Sequence, residues 1–249
     1  MKKILMGMLI AIAGVLIAVG AFQIYKKFDQ YRESSQTSQK MKDVAGADVM
    51  PSDVVEEWQP DWEALKSVNQ DIVAWIRFTN GLSVIDYPVL QRDNQFYLNH
   101  LADGTWNEAG AVFLNKDNSK DFSDFNSIIY AHDMYDGTLF GGLDKYRDYN
   151  FYAGNSSFII YLDNGEKLEY QVWNVAIVSY NDSIYTNIYN GKDEQKAYIA
   201  DSKSKGLYET GISPEVESGS EPNIVTLSTC TGRYWSERFI IQGYKVKQL

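Results

Sequence analysis

Residues 223–243 read N-I-V-T-L-S-T-C-T-G-R-Y-W-S-E-R-F-I-I-Q-G, in which two β-prone runs flank a turn. The first run covers residues 224–227, the second covers residues 239–241, and Thr231 and Gly232 between them are typical turn residues. If the runs pair antiparallel, Cys230 and Arg238 face each other, with Cβ atoms roughly 4.5–5.5 Å apart. The pattern therefore predicts a hairpin that sets a guanidinium beside the only cysteine in the sequence.

Short β-prone runs recur along the rest of the chain. They cover residues 72–78, 84–90, 111–114, 126–131, 158–162 and 167–180. Helical patterns are few, and a helix-like stretch covers residues 193–205 in the segment before the cysteine run. About eight strands with few helices predict a mainly β fold, a closed or nearly closed barrel with a helix-containing insertion before Cys230.

The N-terminal segment is apolar, and residues 4–24 contain no charged side chain. As a helix with ~1.5 Å per residue they would extend roughly 31 Å, enough for the hydrocarbon core of a bilayer. Basic residues lie on both sides of the segment, so the positive-inside rule gives an ambiguous orientation. A signal peptide cleaved near residues 18–20 is the alternative, but the long apolar run favours an uncleaved anchor.

These patterns divide the chain into an anchor, a stalk and a body. We expect residues 1–28 to form a short cytoplasmic tail and a transmembrane helix, and residues 29–55 to form a polar stalk or frayed helix. Residues 56–249 would then be an extracellular catalytic domain that begins with helical turns after Pro60. The net charge of −10 argues against nucleic acid as a partner.

The motif T-L-S-T-C at residues 226–230, with Arg238 eight positions after the cysteine, resembles the active-site strand of sortases. Sortases are the cysteine transpeptidases of Gram-positive cell surfaces. I-I-Y-A-H-D-M at residues 128–134 supplies His132, where that family also carries a histidine after an earlier strand. The resemblance covers roughly residues 58–249 and implies an eight-stranded sortase-type barrel. The helical N-terminal extension and the insertion before the cysteine strand are most similar to class B sortases.

Three residues are the candidate catalytic groups. Cys230 would be the nucleophile, because a neighbouring cation favours the reactive thiolate. His132 would act as general acid and base, and Arg238 would donate to a substrate carbonyl or oxyanion, the role that sortases assign to the matching arginine. The alternatives are a small buried apolar cysteine, a loop histidine and a surface arginine. Arg233 also lies near Cys230, but in the middle of the loop.

The resemblance also suggests residues for a peptide-binding groove. The segment N-Q-F-Y-L at residues 94–98 matches a class B groove segment, and residues 184 and 185 would form the opposite wall. Residues 130 and 228 share strand faces with the candidate histidine and cysteine, and residue 229 would contribute its backbone. The predicted substrate-binding residues are Asn94, Leu98, Tyr130, Ile184, Tyr185, Ser228 and Thr229. Each of them also has a purely structural interpretation.

We expect neither a metal nor a cofactor. Cys230, His132 and His100 are separated by 98 and 32 residues, spacings that match no zinc motif, and His100 reads as structural. The resemblance implies cleavage of a C-terminal sorting signal after threonine, a thioacyl enzyme, and transfer to a cell-wall or pilin amine. A Cys–His surface protease and a non-catalytic peptide-binding barrel are the alternatives. The sorting motif and the acceptor are left open.

Overall fold

The computed structural model describes residues 2–47, 58–78, 82, 85–186, 189, 191–216, 222–232 and 234–248. The helices are α1 (Lys2–Ala45), α2 (Trp62–Val68), α3 (Tyr149–Gly154) and α4 (Lys192–Ser204). The strands are β1 (Ile72–Arg77), β2 (Asp86–Leu90), β3 (Phe113–Leu114), β4 (Asn126–Tyr130), β5 (Ser157–Leu162), β6 (Lys167–Ser179), β7 (Ile224–Cys230) and β8 (Glu237–Gln248). Turns of 3-10 helix cover Phe96–Leu98, Gly141–Arg147 and Ser183–Tyr185.

The eight strands close into a barrel in the order β1-β2-β3-β4-β7-β8-β6-β5. The pairs β2–β3 and β4–β7 are parallel, and the other pairs are antiparallel. The predicted closed eight-stranded barrel is thus confirmed. Strand β8 is longer than its expected apolar run, because it pairs with β6 from Glu237 to Gln248 and the ladder stabilises polar residues beyond the run.

The barrel interior and two outer layers are apolar. Phe158 stacks on Tyr170 inside the barrel, with ring centroids 5.3 Å apart. One outer layer lies beneath the N-terminal helices, and the other lies beneath α4 and includes Trp173 and Ile240. The helix expected over residues 193–205 is present as α4, within the insertion between β6 and β7. Successive side chains of a strand point to opposite faces of the sheet, and here both faces are covered over much of the barrel. This explains why so much of each strand is apolar.

Helix α1 continues without a break from the apolar segment to Ala45. It is long and apolar enough to cross a membrane by length and composition. Its polar half packs on the barrel through one stripe of buried residues: Gln30, Ser34, Thr37, Met41 and Ala45. The stripe recurs every three to four residues, as one face of a helix requires. The docking differs from the expected free stalk, because mostly small or polar side chains give no apolar periodicity in the sequence. The expected stalk extends past Ala47, and residues 48–57 lie outside the described part of the chain.

A buried ion pair joins the N-terminal helix to the barrel wall. Arg77 on β1 donates from Nε to Asp86 Oδ1 on β2 at 2.7 Å and from Nη2 to Oδ2 at 3.1 Å. Trp75 Nε1 donates to the same Asp86 oxygen at 2.6 Å, and Lys42 of α1 lies 3.8 Å from Oδ2. Because several donors satisfy this carboxylate, the charge is accommodated beneath α1.

Candidate active site

Cys230 ends β7, and its ladder partner on β8 is Arg238, as predicted from the hairpin. The cysteine is free and partly exposed. Arg238 Nη1 donates to the carbonyl oxygens of Trp235 and Glu237, both at 2.8 Å. The loop closes on itself where Thr231 Oγ1 donates to Glu237 Oε2 at 3.3 Å. The guanidinium is therefore held by its own loop beside the thiol. Arg233 lies outside the described residues.

His132 lies on the other side of the cysteine strand. Strands β4 and β7 run parallel, with Tyr130 paired to Ser228. One further bond of the same pattern, from Ala131 N to Ser228 O at 3.3 Å, extends this register. Continuing it brings His132 level with Cys230, on a neighbouring chain segment about 4.8 Å away. The thiol thus has the imidazole on one side and the guanidinium on the other.

The ring of His132 is oriented by a backbone carbonyl. Its Nε2 lies 2.7 Å from the carbonyl oxygen of Leu98. Because a carbonyl oxygen can only accept, Nε2 carries a hydrogen in this contact, and Nδ1 is left to exchange a proton. Leu98 therefore contributes its backbone to the orientation of His132 as well as a side chain, 42% exposed, to the nearby surface.

A cleft on the outer face of the barrel joins these groups to most of the predicted groove residues. It contains about 830 Å³ of space not filled by protein atoms, a size that suits a peptide segment. Its lining includes Asn94, Leu98, Tyr130, His132, Tyr185, Ser228, Thr229, Cys230 and Arg238. All but one of the residues predicted from sequence thus meet in one place.

Two tyrosines form an aromatic wall of the cleft. Tyr130 and Tyr185 stack with ring centroids 6.3 Å apart, and Tyr185 OH shares a 2.7 Å hydrogen bond with Ser228 Oγ. Asn115 Nδ2 donates to Tyr130 OH at 3.1 Å. Burial raises the pKa of both tyrosines, while these hydrogen bonds and the charge of Arg238 oppose the rise. Both hydroxyl groups therefore stay protonated near neutral pH and are available as hydrogen-bond donors.

Asn94 lies at the far side of the cleft, where its amide is used by the fold. Its Oδ1 accepts from Lys116 N at 2.7 Å, and its Nδ2 donates to Asn115 Oδ1 at 3.4 Å. Thr229 is 3% exposed, and its Oγ1 is enclosed without a hydrogen-bond partner among the described residues. Its side chain alternates with those of Ser228 and Cys230, so its contribution to the cleft is mainly through its backbone.

Ile184 is the exception among the predicted groove residues. Its side chain is fully buried in the apolar layer beneath α4, and it is absent from the cleft lining. Its carbonyl oxygen accepts from Asn126 Nδ2 at 3.0 Å, which holds the 3-10 turn against the barrel. In this turn the adjacent side chains diverge, so Tyr185 faces the cleft and Ile184 faces the core. The prediction of Ile184 as a substrate-binding residue is corrected accordingly.

The cleft also contains residues that sequence reasoning did not select. Phe113, Ala131 and Tyr180 contribute to its lining. Tyr180 follows the end of β6, and its ring lies 5.7 Å from that of Trp235 in the β7–β8 loop. Trp235 is 81% exposed. An exposed tryptophan within the cysteine loop is a sequence signal for an apolar contact surface, since such side chains favour recognition sites.

Asp133 connects the histidine segment to the cysteine loop. Burial, with a smaller contribution from the nearby Asp144, raises the pKa of Asp133 to about 6, and Arg147 opposes the rise. A Cβ atom added at Gly232 would lie 3.3 Å from Asp133 Oδ2, and Gly232 has a φ of +69°. Glycine therefore suits this position, because it tolerates the positive φ and has no Cβ atom to approach the carboxylate. It lets the loop after Cys230 lie close to Asp133.

The lining of the cleft includes one thiol, one imidazole and one guanidinium. Over the ranges described, no group of three or more His, Cys, Asp or Glu residues is placed to hold a metal ion. The arrangement suits attack by sulfur on a carbonyl carbon, with a proton-transfer group and a fixed cation at hand.

Comparisons with known proteins agree with this geometry. A family model described as the sortase domain matches residues 80–246. Sortase B of Listeria monocytogenes is 29% identical over 205 residues, which cover 81% of this chain and 80% of that protein. Sortase B of Staphylococcus aureus is 28% identical over 223 residues, covering 88% of this chain and 87% of that protein.

A solved structure agrees as well. The crystal structure of sortase B from Bacillus anthracis in complex with AAEK1 matches with a TM-score of 0.73 and 26% identity, over 88% of this chain and 99% of that one. The chain therefore belongs to the sortase family of cysteine transpeptidases and is most similar to its class B members.

Proposed function

We propose that this sortase cleaves a C-terminal sorting signal of secreted proteins after a threonine and joins the new carboxyl end to a cell-wall or pilin amine. The observation that carries the proposal is the cleft in which Cys230, His132 and Arg238 meet beside an aromatic wall. The cleft is open along the barrel surface, as an extended peptide requires. Cleavage after threonine is supported by the resemblance of the T-L-S-T-C strand to the sortase pattern.

In the first half of the reaction, the sulfur of Cys230 attacks the carbonyl carbon of the threonine, on the amino-terminal side of the scissile bond. Arg238 donates to the oxygen on which negative charge develops, and its two loop carbonyl contacts keep it in place without reorganisation. His132 gives a proton to the departing amine as the C–N bond breaks. The product of this half is a thioester on Cys230.

In the second half, an acceptor amine replaces the departed peptide. His132 takes a proton from this amine, the nitrogen attacks the thioester carbon, and the C–S bond breaks to return sulfur as thiolate. Water at about 55 M competes for the same carbon, so transfer requires that the amine is bound close to it.

The N-terminal apolar helix supports a location in the cell membrane. We propose that residues 1–28 are a short cytoplasmic tail and a single transmembrane helix, and that residues 56–249 are the extracellular catalytic domain. Residues 29–45, which belong to the predicted linker of residues 29–55, are helical and pack on the barrel. The catalytic cleft would then lie close to the bilayer instead of being lifted from it.

Mass spectrometry of the intact protein tests this function. The full-length protein in detergent is mixed with a panel of threonine-containing sorting peptides, and the mass of the protein is followed. We expect an adduct equal to the acyl fragment on the wild-type protein and none on Cys230→Ala. Cys230→Ala removes one sulfur and no scaffold group, so its urea unfolding curve is expected to match that of wild type.

A second arm separates transfer from hydrolysis. Adding triglycine or a diamino acid is expected to convert slow hydrolysis of the adduct into a ligated peptide. A product that stays wholly hydrolytic with both amines would support a protease, and turnover by Cys230→Ala above about a tenth of wild type would exclude the thioester pathway.

A further inference from the structure

A second groove reaches His132 from the side of α1. It lies between α1 and the segment after β4, contains about 640 Å³ of space not filled by protein atoms, and is lined by residues that include Lys27, Gln30, Glu108, His132 and Asp133. The cleft that contains Cys230 and Arg238 has a different lining, and His132 is common to the two. The imidazole therefore stands between two openings, and each of them can deliver a molecule to the same ring.

The polar groups of this groove are complementary to an ammonium group. Glu108 and Asp133 supply carboxylates to its lining. Lys27 Nζ lies 3.3 Å from Glu108 Oε2, and both side chains are more than half exposed, so this ion pair is weakened by solvent and can open. Asp133 is only partly exposed and is adjacent to His132 in the chain. Both carboxylates thus line the groove that reaches the imidazole of His132.

Gln30 adds a side-chain amide to this lining. It is 8% exposed, and its Nε2 is enclosed without a hydrogen-bond partner among the described residues. Its backbone carbonyl accepts from Asn107 Nδ2 at 3.1 Å, which fixes this turn of α1 against the barrel. A buried amide donor without an acceptor is unfavourable, so a ligand that presents a carbonyl oxygen to it is favoured.

We propose that this groove binds the acyl acceptor, an amino-terminated peptide-like chain whose ammonium lies near Glu108 and Asp133 and whose carbonyl oxygen accepts from Gln30. The inference rests on the proposed function, because the acceptor is the second substrate of that reaction. The bound ammonium loses one proton to water, and His132 takes the second as the freed nitrogen pair attacks the thioester carbon. An amide bond forms, the C–S bond breaks, and its electron pair stays on the sulfur of Cys230 as thiolate.

Separate entry routes explain how two substrates use one imidazole in turn. The sorting peptide occupies the cleft beside Cys230 and Arg238, and the amine approaches through the α1 groove without displacing the acyl chain. Lys27 follows the apolar segment of α1 by three residues, which is about 4.5 Å along the helix. The groove therefore opens near the proposed membrane surface.

The test measures the two half-reactions separately in full-length protein in detergent micelles. Thioester formation is timed by intact mass, and the acceptor KM is measured from ligated product with triglycine and, in a parallel arm, with a diamino acid. Gln30→Leu and Glu108→Gln are expected to raise the acceptor KM about fivefold or more. Gln39→Leu, on the same helix with its side chain bonded to Asp43, is the control and is expected to leave the KM unchanged.

Lys27→Gln separates acceptor binding from a structural role of the ion pair. It removes the pair but keeps the Glu108 carboxylate, so we expect the acceptor KM to stay the same or fall. A rise equal to that of Glu108→Gln would assign the effect to the packing of α1 and overturn the proposal. So would an unchanged KM in both groove variants when wild type forms thioester and ligated product. Absence of any thioester on wild type would overturn the proposed function and, with it, the acceptor site.

The two amine arms identify the acceptor type. A KM effect with triglycine alone indicates an α-amine on a peptide backbone. An effect with the diamino acid alone indicates a side-chain amine. If Gln30→Leu leaves the KM unchanged for both amines, the contact between Gln30 and a peptide carbonyl is contradicted.

Discussion

Arg238 lies directly opposite Cys230 in the antiparallel ladder of β7 and β8, and its guanidinium is fixed by the carbonyl oxygens of Trp235 and Glu237. These contacts restrict rotation of the side chain, so the planar donors have one orientation before substrate arrives. Preorganised donors stabilise developing charge more than mobile ones do.

Arg238→Lys keeps the positive charge and removes the planar fork. We expect turnover to fall on the order of 100-fold, because the ammonium cannot hold the loop carbonyls and face the oxyanion at once. The measurement is kcat/KM for peptide cleavage. Arg32→Lys, at an exposed position of α1, is the matched control and should retain full activity. A loss below about tenfold in Arg238→Lys would show that charge alone suffices.

Ile184→Ala and Leu98→Ala should affect different properties. Ile184 is fully buried, so its truncation should lower the free energy of unfolding by about 2–5 kcal/mol. Leu98 lines the cleft and is 42% exposed, so its truncation should leave unfolding nearly unchanged and raise the KM for the sorting peptide. Urea unfolding and steady-state kinetics measure the two effects. If Ile184→Ala raised the KM more than Leu98→Ala does, with both variants equally folded, Ile184 would be a substrate-binding residue after all.

Asp133 should make the stability of the protein depend on pH between about 4 and 6. Its pKa in the folded state is raised to about 6, above the value of about 3.9 for a free side chain. The folded state therefore binds more protons in this window, and the free energy of unfolding should fall as pH rises. Thermal unfolding at several pH values should show a smaller fall in Asp133→Asn than in wild type. Asp193→Asn, at an exposed position of α4, is the control, and an identical fall in all three proteins would contradict the assignment.

The N-terminal helix should retain the protein in the membrane with the barrel outside. Protease added to intact protoplasts should remove the barrel and leave about the first thirty residues protected. A version that begins after residue 28 should be released into the medium when it is secreted with an unrelated signal peptide. Full protection of the barrel would reverse the orientation, and release of a fragment that begins near Ala21 would indicate a cleaved signal peptide.

Sequence reasoning predicted the parts of the site that depend on neighbouring residues. The pairing of Cys230 with Arg238 follows from the length of the turn and the alternation of the two runs. The helix-like stretch at residues 193–205 likewise corresponds to helix α4. Ile184 was assigned wrongly, because a short 3-10 turn does not reveal from its own residues which side chain faces the core.

The docking of the polar half of α1 on the barrel was not predicted, for a related reason. Its buried stripe includes Ser34 and Thr37, which a hydrophobicity pattern does not detect. They are buried because the barrel surface accommodates small side chains, and Asn107 donates to the carbonyl of Gln30 on the same face. A surface of this kind becomes visible only when both partners are known.

The amino-acid sequence alone therefore accounts for the apolar N-terminal helix, the barrel class and the cysteine–arginine hairpin, since each depends on local composition, periodicity and turn chemistry. The position of His132 depends on the parallel pairing of β4 with β7, strands almost a hundred residues apart on either side of the insertion. The contact of Leu98 with His132 and the groove along α1 likewise depend on long-range packing. Parallel pairing and helix docking leave no local signal, because their stability comes from surfaces that meet only in the folded chain.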